Sequence, residues 1–321
     1  MEKYQEALAQ KLAETILAKD PDRLYGPIAY IVSLGGKRLR PLLTLMTCEF
    51  FGTDFKKAMH AALAIELFHN FSLIHDDIMD NAPLRRGKET VHEKWDINTG
   101  ILSGDAMLIL AYQLFENYDP LLFSDLAKLF STTALQVCEG QQYDVDFETR
   151  DDVSLSEYIK MIDYKTAVLI GAAMKMGAIV ANASDECSDN IYVFGRNLGI
   201  AFQLQDDYLD AFGNPKNFGK QVGGDIIANK KTFLYLTALQ NSDGKQAEEL
   251  MHLFRTSPKN PSEKIVRVKA IFNSTGAAEA IKMEISKYTK MANAVLEKVA
   301  ISEDKKDELR EFGNALMART V

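Results

Sequence analysis

Cysteine, proline and tryptophan are scarce in this chain of 321 residues, which holds three, eight and one of them. Cys48, Cys138 and Cys187 form an odd set with neither a pairing framework nor metal-ligand spacing, so they read as core residues of a protein from a reducing compartment. The few prolines sit mostly between periodic segments and leave long stretches free to be helical. Basic charge is also short. With 37 Lys and Arg against 45 Asp and Glu the net charge is −8, which argues against a general nucleic-acid binder. It does not argue against an anionic substrate, because local charge decides that. No run of about eighteen apolar residues occurs, so no membrane span is expected. The opening stretch, MEKYQEALAQKLAETIL, carries acids and no continuous apolar run, and predicts no signal peptide. The expectation is a soluble cytoplasmic protein whose 47% hydrophobic content can fill a sizeable core.

What is present is helical periodicity. Residues 2–18 show it, and Asp20-Pro21 reads as an N-cap followed by proline at the first helical position. Ser154-Leu155-Ser156-Glu157 is a capping box that opens a helix predicted to run to about residue 182. Ser184 and Ser302 open later helices. No run of alternating β-branched residues bounded by turns stands out, and no linker rich in Pro, Gly or Ser divides the chain. These features predict one all-α domain over 1–321, a bundle of many packed helices.

The segment from Lys56 to about Met79 has apolar residues on every face, as a helix in the interior of a bundle has. Yet it ends in His75-Asp76-Asp77-Ile78-Met79-Asp80. Asp76 and Asp80 are four apart and share a helix face. Asp206, Asp207 and Asp210, in Gln203-Leu204-Gln205-Asp206-Asp207-Tyr208-Leu209-Asp210, repeat the spacing after a second apolar helix. Asn81-Ala82-Pro83 and Gly213-Asn214-Pro215 stop the two helices, so each cluster is expected in a last turn. That is the negative end of the helix dipole, where each carboxylate costs roughly 0.3–1 kcal/mol. A divalent cation reverses the penalty, and oxygen-only ligands point to a hard metal such as Mg²⁺. One such cluster equally suits a solvated acidic helix end; two with the same spacing suit it far less.

Mg²⁺ held by a few carboxylates keeps positions for phosphate oxygens, and cations that phosphate would need are at hand. Gly35-Gly36-Lys37-Arg38-Leu39-Arg40-Pro41 sets three beside a glycine pair, and Arg85-Arg86-Gly87 follows the first acids closely. Lys165-Thr166, Lys220 and Lys230-Lys231-Thr232 come later. Any one of these alone suits a surface cation. Gly35-Gly36-Lys37 lacks the spacing of a P-loop. His69, seven residues before Asp76, shares its face and could donate to a diphosphate or be a buried framework residue; His75 reads as framework.

Residues 35–41 (GGKRLRP), 69–90 (HNFSLIHDDIMDNAPLRRGKET) and 203–210 (QLQDDYLD) resemble the motifs of the trans-isoprenyl diphosphate synthases, the polyprenyl synthetases. Gly140-Gln141, Lys165-Thr166, Lys220 and Lys230-x-Thr232 fall in that family's order. The resemblance covers about 30–235 and is weak beyond it. It implies the isoprenoid synthase fold, an all-α homodimer whose two Asp-rich helices face a central cavity. It implies an Mg²⁺-dependent prenyltransferase that joins isopentenyl diphosphate head to tail to an allylic diphosphate (dimethylallyl, geranyl or farnesyl). The allylic diphosphate would bind through Mg²⁺ to Asp76, Asp80 and Asp206, near Arg85, Lys165, Thr166, Gln203, Lys220 and Lys230. Isopentenyl diphosphate would bind Lys37, Arg40, His69 and Arg86, while Arg38 fits neither role. Asp76, Asp77, Asp80, Lys165, Asp206 and Lys220 form the implied catalytic set. The implied proton acceptor is the released diphosphate.

Product length should depend on residues upstream of Asp76. Phe71 and Phe68 lie roughly 7 and 12 Å along the helix axis from it, and the small Ser72 leaves room between. In the family an aromatic at the position of Phe71 is similar to a short-chain enzyme of the geranylgeranyl type; a farnesyl product ranks second and a long-chain product third. Both rings equally suit plain packing against a neighbouring helix. Two other readings compete. A class I terpene cyclase would leave Lys37, Arg40 and His69 without a purpose, and a non-catalytic subunit of a heteromeric synthase would tend to lose acids that this chain keeps.

Overall fold

The computed structural model describes residues 1–15, 19–213 and 222–318. The chain is all-α. Helices α1 (Glu2–Thr15), α2 (Asp22–Ser33), α3 (Leu39–Phe50) and α4 (Met59–Met79) come first, followed by a hairpin of β1 (Leu84–Arg85) and β2 (Lys88–Glu89). Then come α5 (Val91–Lys94), α6 (Ile97–Phe115), α7 (Pro120–Thr149), α8 (Leu155–Ile162), α9 (Val168–Val180) and α10 (Asp185–Phe212). The remainder is α11 (Gly224–Ile227), α12 (Phe233–Asn241), α13 (Gly244–Leu253), α14 (Ser262–Ser274), α15 (Ala277–Leu296) and α16 (Glu303–Met317). Among the described residues no helix is long and apolar enough to cross a membrane. Two compact units emerge: Met1–Thr133 with Ala172–Tyr192, and Ala134–Gly171 with Val193–Val321.

The first unit is built around α4, which packs against α1, α2, α3, α5 and α6. Its apolar residues are buried from Met59 to Phe71 and at Ile74, as its all-round hydrophobicity requires, and burial falls off towards the acidic end, where Met79 is exposed. The residues before it, Phe55–Ala58, form a 3-10 turn rather than the start of the predicted helix, because the Asp54 carboxylate accepts the Lys56 N–H at 3.0 Å and closes a separate turn. At the acidic end α6 approaches closely. A Cβ on Gly100 would lie 2.8 Å from Ile78, and one on Gly104 2.3 Å from His75. At the other end Phe68 (α4), Tyr112 and Phe115 (α6) and Phe130 (α7) form an aromatic cluster with ring centroids 4.8–5.3 Å apart around Phe130.

The second unit centres on α12, which meets α8, α13, α14 and α15 around Phe233, Leu234, Leu250, Phe272 and Ile281. The capping box forms as expected: Ser154 Oγ accepts the Glu157 N–H and the Glu157 carboxylate accepts the Ser154 N–H. The helix it opens is not one continuous run to 182. Asp163–Ala167 widens into a π turn before α9 resumes and ends at Val180. Arg196 on α10 donates to both oxygens of buried Asp163, and Gly140 on α7 presses on the turn, where a Cβ would meet the Lys165 nitrogen at 2.2 Å.

Two other expectations are corrected. Asp20 does not cap α2. Pro21 takes the N-cap position in extended backbone, its carbonyl accepts the Leu24 and Tyr25 N–H groups, and the helix starts at Asp22. The hairpin over 84–89 was not foreseen, because two-residue strands carry no alternation; Arg86 and Gly87 turn it, both at positive φ of 55° and 74°. Residues 16–18 of the first predicted helix lie outside the described residues.

Gly177 on α9 tests how tightly the first unit is packed. A Cβ there would come 2.3 Å from the backbone oxygen of Thr44, which cannot rotate away. Gly177→Ala is expected to lower stability by about 1–3 kcal/mol, read as a fall in the denaturant midpoint at unchanged slope.

Candidate active site

In the first unit the cations converge on the start of α3. Gly35, Gly36 and Arg38 have φ of 74°, 121° and 45°, so the backbone doubles back between α2 and α3. The Arg86 guanidinium lies over Gly36, where a Cβ would sit 2.5 Å from Nη2, so only glycine fits. Lys37 is exposed in this loop. Arg38 donates to the Val32 carbonyl at 3.3 Å. Arg40 Nη1 donates to His69 Nε2 at 3.3 Å. Burial, then Arg40, holds the His69 pKa well below the usual histidine range. His69 is therefore neutral, and with Nε2 accepting, Nδ1 carries the hydrogen.

A residue that the sequence reading missed lies beneath these cations. Glu66, 3% exposed within α4, accepts the Asn70 side-chain amide at 3.1 Å and stands in the field of Arg38, Arg40 and Arg86. Burial pushes its carboxyl up while those partners pull it down. A lone acid inside an otherwise apolar helix was the available signal.

At the end of α4 the three acids part company. Asp77 is 1% exposed, and Arg85 Nε donates to both its oxygens at 2.9 and 2.8 Å. Burial raises the Asp77 carboxyl and Arg85 opposes the rise; the forked contact is that of an ionised pair. Arg85 also reaches Asp76 at 3.4 Å. Asp76 is half-buried, and Asp80 is exposed as the C-cap residue. His75 contacts the Ile101 carbonyl at 3.2 Å and the Phe71 ring at 4.7 Å. Phe68 is fully buried, Phe71 nearly so at a centroid distance of 5.5 Å, and Ser72 Oγ donates to the His69 carbonyl at 2.8 Å.

In the second unit α10 continues to Phe212, so Asp206 lies before the last turn and only Asp210 falls within it. Asp210 accepts the Asp225 N–H at 2.9 Å and anchors the start of α11. Asp207 is 4% exposed, between the Tyr158 hydroxyl and the Gln203 amide. Burial, then Asp225, pushes its carboxyl well above the usual range. Asp206 is half-buried. The π turn presents Lys165, whose Nζ donates to Asp144 at 2.6 Å, and Thr166, whose hydroxyl donates to Gln203 Oε1 at 3.2 Å. A cavity of about 120 Å³ is lined by Asp144, Lys165, Thr166, Gln203, Asp207 and Lys230 among others. Lys231 is taken up by the carbonyls of Glu148 and Arg150. Lys220 lies outside the described residues. Asp144, Tyr158 and Asp225 were not singled out by the sequence, and only the tertiary contacts mark them; Asp207 was named as a member of the second acid cluster but given no role.

The donor chemistry fits Mg²⁺. Asp76, Asp80 and Asp206 offer oxygen alone, at or near helix ends. Among the described residues no three acidic, histidine or cysteine side chains gather into a cage of their own, and Mg²⁺ asks for fewer, one or two carboxylates with phosphates and water.

Residues 21–272 match the family model described as polyprenyl synthetase. The chain is 35% identical over 298 residues to a short chain isoprenyl diphosphate synthase of Methanothermobacter thermautotrophicus, covering 92% of each. It is 36% identical over 290 residues to a geranylgeranyl pyrophosphate synthase of Geoglobus acetivorans, covering 90% of this chain and 88% of that one. A crystal structure of a geranylgeranyl pyrophosphate synthase superposes with a TM-score of 0.95 at 53% identity, covering 99% of this chain and 98% of the other. With both aspartate-rich helices, the arginine hairpin and the lysine–threonine turn in place, the chain belongs to the polyprenyl synthetase family.

Proposed function

We propose that the protein is a trans-prenyltransferase that condenses isopentenyl diphosphate with an allylic diphosphate to a short-chain product, geranylgeranyl diphosphate. The observation that carries this reading is a division of the cations into two sets: Arg40 and Arg86 near His69 in the first unit, with Lys37 exposed in the loop before α3, and Lys165 and Lys230 lining one cavity with Gln203 in the second. Two diphosphates use two sets; a terpene cyclase, with one diphosphate, leaves one idle. The similarity to synthases of short-chain and geranylgeranyl diphosphates supports the product class. The reading takes residues 1–321 as one functional domain working in the cytoplasm.

In this reading Lys37, Arg40, His69 and Arg86 hold isopentenyl diphosphate, with neutral His69 free to donate from Nδ1. Asp76, Asp80 and Asp206 are the residues that would hold Mg²⁺, which when bound would supply positive charge to the diphosphate of the allylic substrate. Arg85 fixes Asp77 and steadies Asp76, while Lys165, Lys220 and Lys230 add positive charge where the leaving group accumulates electrons. Cleavage of the allylic C–O bond sends its electron pair to the diphosphate. The isopentenyl double bond attacks the carbocation, and the released diphosphate takes the proton then lost. Apolar walls keep water from the cation.

A second copy of the chain completes the protein. Ile97, Ile101, Leu102 and Ile109 of α6 are 41–60% exposed although its other face packs on α4. Exposed apolar residues grouped on one helix face belong under cover, and a homodimer covers them.

Three outcomes test the reading. Asp76→Asn or Asp206→Asn keeps shape and removes charge; each is expected to lower turnover by about 10²–10³-fold with the fold intact, and near-normal turnover at limiting Mg²⁺ would refute the metal assignment. Arg40→Ala is expected to raise the KM for isopentenyl diphosphate on the order of tenfold and leave the allylic KM little changed. Lys220→Ala is expected to do the reverse or to lower kcat. Loss of affinity for the same substrate in both would refute the two-set division. Phe71→Ala, alone or with Phe68→Ala, is expected to lengthen the product by at least one five-carbon unit, read by chromatography, and to cost about 3–5 kcal/mol of stability. A folded, active variant with the wild-type product would make Phe71 a packing residue only.

A further inference from the structure

A chain of hydrogen bonds in the second unit runs from a buried tyrosine to the reacting groups. Tyr158, 3% exposed near the start of α8, donates to Asp207 Oδ2. Asp207 Oδ1 accepts from Gln203 Nε2 at 3.2 Å, and Gln203 Oε1 accepts the Thr166 hydroxyl at 3.2 Å. We infer that Tyr158 and Asp207 are positioning residues that fix the orientation of the Gln203 side-chain amide, and through it Thr166, for the allylic substrate. The inference rests on the proposed assignment of Thr166 and Gln203 to that substrate.

The two ends of a glutamine amide have nearly the same shape but opposite hydrogen-bonding character. Gln203 turned by 180° would still fill its space. It would, however, press its oxygen on a carboxylate oxygen and present NH₂ to Thr166. In the arrangement observed both Asp207 oxygens accept, Oδ2 from Tyr158 and Oδ1 from Gln203, and Oδ1 so placed disfavours the turned amide. It can do so only while the carboxyl group is itself held. A buried Oδ2 without a donor is costly, so without Tyr158 the group would rotate. Tyr158 supplies that donor from a rigid position: its helix is pinned by the capping box four residues before it and by the π turn after it. The polar face offered to the substrate, a threonine hydroxyl oxygen and a glutamine amide in set directions, thus depends on a tyrosine that does not touch it. The members of the network, Tyr158, Thr166, Gln203 and Asp207, all belong to the second unit.

The test is a double-mutant cycle on the full-length protein with Mg²⁺, isopentenyl diphosphate and an allylic diphosphate. Tyr158→Phe removes one hydroxyl and is expected to lower kcat about tenfold. The KM for isopentenyl diphosphate should stay within about twofold. Gln203→Met keeps the side-chain length and removes the amide, and is expected to lower kcat by at least as much. In the Gln203→Met background Tyr158→Phe should cost nothing further, because the group it orients is gone. If Tyr158→Phe does not fold, Asp207→Asn closes the same cycle: it keeps the shape, removes one of the two acceptors, and its cost should likewise vanish beside Gln203→Met. A folded Tyr158→Phe variant with kcat within about twofold of wild type overturns the inference, as do effects that multiply in the double variant, the pattern of two independent packing losses. Failure of the functional proposal looks different: the wild-type protein itself would then not elongate an allylic diphosphate.

Discussion

Burial of α4 on every side is the constraint on which the first unit depends. A helix with no polar face must be enclosed, and α1, α2, α3, α5 and α6 enclose it. The same helix ends in carboxylates beside its own negative dipole end, so enclosure cannot extend to its last turn without a cation. The hairpin over 84–89 resolves the conflict by returning Arg85 onto Asp77 in a forked pair. That pair removes the one acid that is buried outright and leaves Asp76 and Asp80, one turn apart, at the edge. The glycines of α6 belong to the same solution, because Gly100 and Gly104 let a second helix lie against Ile78 and His75 without displacing the acids.

The two aspartate clusters share a spacing but not a fate. In each, one carboxylate is buried and serves protein geometry: Asp77 holds Arg85, and Asp207 faces Tyr158 and Gln203. The last acid differs between them, since Asp80 is exposed whereas Asp210 binds the backbone of Asp225. A repeated sequence pattern thus resolves into buried framework carboxylates and more accessible ones. The cations divide in the same way. Arg38 and Lys231 are spent on backbone carbonyls, and Arg40 is left beside a neutral histidine.

Periodicity, caps and composition carried most of the fold, because a helix is a local structure. The all-round apolarity of the segment ending at Met79 placed it in the interior, the Ser154 capping box marked the start of α8, and Ser184 and Ser302 precede α10 and α16. The two acid clusters, the glycine-flanked cations and the Arg-Arg pair were legible too, because residue type and spacing are read directly from the chain. Where local signals were weak the reading slipped: a two-residue hairpin has no alternation to detect, and the π turn at Asp163–Ala167 is imposed by Gly140 and Arg196, which lie far from it in sequence.

The sequence by itself thus determined that the chain is helical, which helix lies at the centre of the first unit, and where carboxylates and cations cluster along the chain. Those properties follow from side-chain chemistry at fixed spacing along one helix. Only the tertiary structure decided the partners. That Asp77 belongs to Arg85, that Glu66 underlies the arginines, and that Tyr158 reaches Gln203 through Asp207 depend on contacts between residues 8 to 49 positions apart and more. A hydrogen bond is short and directional, so it is specified by where two helices cross, and no pattern within either helix encodes that crossing.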